Sequence, residues 1–177
     1  GVEHVVGHEV DQLHQAVERG LLLLGEKNVL GMQRHAVDLA SHAERWHVAG
    51  ISKGSLATVD GDSVYVGLTS GRFAALSVVD GHEAWHVDVD GTANRAAIAD
   101  GTAYVSEGFD SLRPNCTIRR ITADGTVTTI AGSPSVSGSR DGSGSQAGFT
   151  SPDDMAMGSD GALYVVDAGS LRRVTTA

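Results

Sequence analysis

With 177 residues, a formal net charge of −9 and a pI near 5.2, the chain lacks the basic face that phosphate neutralisation needs, which excludes nucleic acid as a partner. One cysteine, Cys116, excludes an intrachain disulfide and a cysteine-based zinc site, and the longest aliphatic run, residues 21–24, is far too short to span a bilayer. Only 5% of the residues are aromatic, so any core must be filled by Val, Ala, Leu and Ile.

Residues 1–50 differ in kind from the rest, holding six of the eight histidines (His4, His8, His14, His35, His42, His47). Val6, Val10, Leu13, Val17, Leu21 and Leu24 recur at spacings of three and four, as do Val29, Met32, Ala36, Leu39, Ala43 and Trp46. That is the apolar stripe of an amphipathic helix in each case. Gly25 stops the first helix and Asn28 caps the second, predicting an α-helical hairpin over 1–50; the alternative is that this segment is not a native domain. His4 and His8 face one way on such a helix, but no third ligand stands at helical spacing and the His-Glu-x-x-His pattern is absent, so the histidines read as a solvated face.

From residue 51 the chain repeats itself. Ala57-Thr58-Val59-Asp60-Gly61-Asp62-Ser63-Val64-Tyr65-Val66, Ala97-Ile98-Ala99-Asp100-Gly101-Thr102-Ala103-Tyr104-Val105 and Ala156-Met157-Gly158-Ser159-Asp160-Gly161-Ala162-Leu163-Tyr164-Val165 are copies of one strand-turn-strand unit. Asp-Gly between short apolar runs is a hairpin signal, because Gly takes positive φ without steric cost. A second hairpin follows each of the first two copies, around Asp80-Gly81 and Asp124-Gly125, so the unit is a four-stranded antiparallel meander. Tyr65 and Tyr104 are 39 residues apart, the length of a propeller blade. The prediction is a mainly β chain, a partial β-propeller over 51–177 with blades at about 55–87, 96–130 and 153–174, eleven strands in all, the last blade lacking its outer strand. Three blades cannot ring a channel, so the sequence reads as part of a longer propeller whose open blade faces and edges favour self-association.

The blade that runs through Tyr65, Gly71, Ala75-Leu76, Gly81 and Trp85 resembles the pyrroloquinoline-quinone-type propeller repeat, in which a Trp packs between neighbouring blades; the resemblance makes Trp85 structural. From Val127 the chain is similar to a bacterial NHL-type repeat, on Ile130-Ala131-Gly132, Asp141-Gly142-Ser143-Gly144, Ala147, Phe149, Ser151-Pro152, Asp160-Gly161-Ala162-Leu163-Tyr164-Val165-Val166-Asp167 and Leu171-Arg172-Arg173-Val174. It departs from that pattern at Ala168-Gly169-Ser170. This likeness implies an ordered Gly/Ser-rich excursion over 132–148 with Ala147 and Phe149 tucked against the blade. It also implies a structural Asp167 accepting N–H groups of the turn that follows, and a secreted or cell-envelope location.

Chemistry is sparse. His82 and His86 flank Trp85 on an outer strand, and Cys116 has no base beside it, so no nucleophile and base pair can be assembled; catalytic residues are predicted to be none. Asp88-Val89-Asp90-Gly91 opens like an EF-hand loop, but Thr92-Ala93 breaks the pattern. Alignment of the units on Asp60, Asp100 and Asp160 puts Gly54, Asn94 and Asp154 at like positions, so that Asn94, Arg95, Asp153 and Asp154 converge on the axial rim as ligand-binding residues. Asp153 and Asp154 are the metal candidates, with calcium the cation that an oxygen set suits, although a turn and strand start after Pro152 is the plainer explanation of them. Two functions follow. The first is a non-catalytic binding or scaffold module presenting loops to a protein, glycan or other ligand, without a cofactor. The second is part of a metal-assisted lactonase-like or lyase-like propeller enzyme.

Overall fold

The computed structural model describes residues 20–28, 31–52, 55, 57–89, 91–110, 113–134 and 137–176. Fourteen strands run through them: β1 Leu21–Asn28, β2 Gly31–Asp38, β3 Glu44–Ile51, β4 Thr58–Asp60, β5 Ser63–Leu68, β6 Arg72–Ser77, β7 Glu83–Asp88, β8 Thr92–Ala99, β9 Thr102–Asp110, β10 Arg113–Ile121, β11 Val127–Ser133, β12 Pro152–Met157, β13 Ala162–Asp167 and β14 Ser170–Thr175. Every ladder is antiparallel between chain neighbours except one corner, where β3 meets β5 at Ile51↔Leu68 alone, flanked by Ser52 N–H to Gly67 O (2.9 Å) and Thr69 N–H to Gly50 O (2.7 Å). The described residues thus form four successive meanders: β1–β3, β4–β7, β8–β11 and β12–β14.

Turn chemistry explains the hairpins the sequence announces. Asp100 and Gly101 both have positive φ, 49° and 70°, between the paired Ala99 and Thr102, as a two-residue loop matched to strand twist requires. The loop between β12 and β13 is one residue longer: Gly158 N–H bonds Ala162 O, with Ser159, Asp160 and Gly161 between them.

Three apolar layers hold the meanders face to face. Leu21, Leu23, Ala36 and Trp46 of the first pack on Val64, Val66, Ala74, Leu76 and Val78 of the second. Phe73 and the half-buried Tyr65 and Trp85 of the second meet Ala96, Ala103, Val105 and Ile121 of the third. Ala97, Tyr104, Ile118 and Ala131 of the third meet Met155, Leu163 and Val165 of the fourth, together with Ala147 and Phe149 from the segment before it. The buried Ala147 and Phe149 make the Gly/Ser-rich segment an ordered excursion, pinned by Arg172, which stacks over the Phe149 ring at 4.6 Å and donates to Gly148 O, Arg140 O and Asp141 Oδ1. Small residues set the spacing between blades: a Cβ on Gly67 would lie 2.1 Å from Ala93 O.

The expected α-helical hairpin is overturned. No α-helix occurs among the described residues, and the segments assigned to it are β1, β2 and β3; residues 1–19, which carry most of the first stripe, lie outside them. Burial alternates along β1, with Leu21, Leu23 and Gly25 buried and Leu22 and Leu24 half-buried, which is a strand period. A run of four leucines satisfies either period, and the 39–43 stretch read as helix is the turn between β2 and β3. That turn contains no glycine. His42 takes its left-handed position, with φ of 59°.

Candidate functional site

The rim residues are positioned by two matching irregularities. In β8, Ala93 pairs with Glu107 and Arg95 with Ser106, so Asn94 is bulged out of the ladder; in β12, Pro152 pairs with Asp167 and Asp154 with Val166, so Asp153 is bulged likewise. The structural equivalents are therefore Asn94 with Asp153 and Arg95 with Asp154. This corrects by one residue the alignment made on the turn aspartates, and the cause is the longer loop after β12.

β12 packs beside β8, which brings Arg95 Nε to 4.0 Å from Asp154 Oδ1. Arg95 is half-buried, and burial lowers its pKa while Asp154 and then Asp153 oppose the shift. Both aspartates are exposed; Asp154 Oδ1 accepts its neighbour Met155 N–H (2.9 Å), and Asp153 Oδ1 accepts the Ser151 hydroxyl (3.0 Å). Asn94 is half-buried at its bulge. A residue the sequence reading placed on a helix joins this region: Arg34 of β2, only 3% exposed, donates to Ser55 O at 2.6 Å and has no partner for Nε. Desolvation, and next the Arg95 charge, lower its pKa.

Two buried acids stand at one register beneath the rim. Asp167 Oδ1 accepts the N–H groups of Thr150 and Ser151, both at 2.8 Å, and Arg172 Nη1 lies 3.3 Å from Oδ2. The amides it holds precede it, at the entrance to β12, rather than belonging to the turn after it as expected. Glu107 occupies the equivalent place in the third meander, its Oε2 accepting the Thr117 hydroxyl at 2.7 Å with Arg119 Nε 3.7 Å from Oε1. Trp85 lies in an aromatic group, its ring 6.0 Å from Tyr65 and 6.2 Å from Phe73. Cys116 is buried with Sγ 3.5 Å from Thr150 O, and desolvation pushes its thiol above the ordinary value.

One further constellation was missed from the sequence. His35 on β2 and His47 on β3 are direct cross-strand partners, and Glu44 bridges them: His35 Nδ1 is 2.7 Å from Oε2 and His47 Nδ1 is 2.9 Å from Oε1. The hydrogen bond to His35, then that to His47, holds the Glu44 carboxyl below its ordinary pKa. The ligand atoms of the three residues lie within 4.8 Å of one another, the only such grouping of three or more His, Cys, Asp or Glu found among the described residues. The signal for it was present: Glu44-x-x-His47 recurs 39 residues on as Glu83-x-x-His86, around Trp46 and Trp85.

Four antiparallel meanders stacked face to face through apolar layers, the first two with a Trp-bearing strand 39 residues apart, define a β-propeller built of pyrroloquinoline-quinone-type repeats. Residues 35–176 match the model of the family described as outer membrane protein assembly factor BamB, and the chain belongs to that family. The fold is also that of several solved structures. A structural genomics protein from Bacteroides thetaiotaomicron aligns with a TM-score of 0.61 and 16% identity over 86% of this chain and 40% of that one. Hydrazine synthase of Kuenenia stuttgartiensis aligns with 0.61 and 18% over 87% and 41%. BamB from Moraxella catarrhalis aligns with 0.50 and 15% over 89% and 45%. The chain thus spans less than half the length of each. No curated protein matches the sequence at a significant level.

Proposed function

We propose that the chain is a non-catalytic scaffold module of a larger propeller, presenting the rim of Asn94, Arg95, Asp153 and Asp154 to a protein ligand. The observation that carries this reading is membership, over residues 35–176, of a family described by an assembly factor. The geometry supports it: matching bulges set exposed carboxylates and a half-buried guanidinium side by side on packed strands of neighbouring meanders, a charged surface suited to steering a partner rather than to moving protons. The described residues include no helix long and apolar enough to cross a membrane. An NHL-type relationship of residues 127–174 belongs to the same proposal and draws support from the buried Ala147 and Phe149. So does self-association, through the exposed Val166 and Leu171 that pair across β13 and β14.

The calcium-assisted enzyme reading has less behind it, because Arg95 already places a positive charge beside Asp154. The deciding experiment installs a photo-crosslinking residue at position 153 or 154 of the parent protein in the cells that make it, with position 124 on an outer turn as control. Discrete adducts from the rim positions alone are expected. Adducts equal at all three positions would overturn the reading, as would saturable calcium binding by calorimetry that Asp154→Asn abolishes.

A further inference from the structure

We propose that His35, Glu44 and His47 form a binding site for one divalent transition-metal ion of the zinc type. The donor set is two imidazole nitrogens and one carboxylate oxygen, the composition of zinc sites with three protein ligands and an open position for water. Two hydrogen-bonded strands supply all three residues, and the cross-strand pairing of His35 with His47 fixes the separation of the imidazoles, whose ring centroids are 5.5 Å apart at 30°. Glu44 already offers one oxygen to each ring.

A tetrahedron with metal–ligand bonds of about 2.1 Å has ligand–ligand edges of about 3.4 Å. The present set, within 4.8 Å, must therefore contract modestly. Rotation of two side chains near the surface supplies this, since Glu44 and His47 are 46% and 55% exposed. On binding, the ion takes the place of the ring protons now lying between each Nδ1 and the carboxylate. In a neutral ring the proton moves to Nε2, and a protonated ring releases one.

The second meander is a built-in control. Glu83 and His86 repeat the Glu44 and His47 geometry, with Nδ1 to Oε1 at 2.7 Å, but the cross-strand partner of His86 is Ala74, and Arg72 donates to the same Glu83 oxygen at 3.1 Å. Two donors with a guanidinium attached do not hold such an ion. Metal binding should thus be confined to one of two backbone-equivalent places.

The test is a Zn²⁺ titration of the whole chain by calorimetry, in a background carrying His4→Ala, His8→Ala and His14→Ala so that those imidazoles contribute nothing. One ion per chain is expected, with affinity at least tenfold weaker in His47→Ala and in Glu44→Gln, and unchanged in His86→Ala. Both weakened variants alter exposed positions, and circular dichroism checks that they remain folded; His35→Ala, at a less exposed position, should behave alike. Co²⁺ in place of Zn²⁺ should give visible d–d bands that His47→Ala removes. Absence of saturable binding would overturn the proposal, as would binding that survives His47→Ala or is weakened equally by His86→Ala.

Discussion

The first and second meanders carry the same blade with different local instructions. In β4–β7 the outer hairpin turns at Gly81, with φ of 70°, and in β1–β3 the corresponding residue is His42, with φ of 59°. Trp46 is 7% exposed, its indole N–H donating to Val78 O at 2.9 Å and its ring lying against the turn of the next blade, whereas Trp85 is only half-buried among Tyr65 and Phe73. One backbone can therefore be specified either by glycine-bearing turns or by tertiary docking of a large side chain. The first meander depends on the second kind of signal.

The largest effect that sharpens this contrast is Trp46→Ala, expected to destabilise by about 3–5 kcal/mol in denaturant melts, against about 2 kcal/mol for the half-buried Trp85→Ala. A reversed order would break the comparison. Gly81→Ala comes next, at about 2–3 kcal/mol, because the residue must hold positive φ and a Cβ would meet the Trp46 ring at 2.7 Å. The loss should shrink sharply when Trp46 is already Ala, which a double-mutant cycle measures.

Both hairpins carry a turn carboxyl held below its ordinary pKa, Asp38 in the first and Asp80, through the His82 N–H, in the second. Asp38 accepts the Ser41 and Ala40 N–H groups, the Ser41 hydroxyl and the Arg45 guanidinium; the Ser41 amide, then Arg45, hold its carboxyl well below the usual range. A folded pKa below the unfolded one means that the contribution is fully present above about pH 4 and is lost as pH falls through the folded value. Asp38→Asn should flatten the acid limb of the stability curve below about pH 4, read from thermal melts at successive pH values. The smallest effect is at Arg72, whose pairing with Glu83 is near the surface: Arg72→Ala should cost at most about 0.5 kcal/mol, vanishing in high salt.

Strands β4–β14 were legible because their information is local. Asp60-Gly61, Asp100-Gly101 and Asp124-Gly125 set turns, alternation around Tyr65, Tyr104 and Tyr164 set faces, and the eleven strands β4–β14 follow from those signals with the antiparallel order intact. The same sequence, by its 39-residue echo from Trp46 to Trp85, also held the first meander, but the contiguous leucines at 21–24 fit two periods and the turn through His42 has no breaker. Tertiary packing favours the strand there, since it buries Leu21 and Leu23 in one layer with Val64, Val66, Ala74 and Leu76 of β5 and β6. The rim was decided in the same way. A bulge is a relation between two strands, so nothing in β8 or β12 alone could place Asn94 with Asp153 or bring Arg95 beside Asp154. The burial of Arg34 and the meeting of His35, Glu44 and His47 likewise depend on partners that pairing and stacking supply and local sequence cannot name.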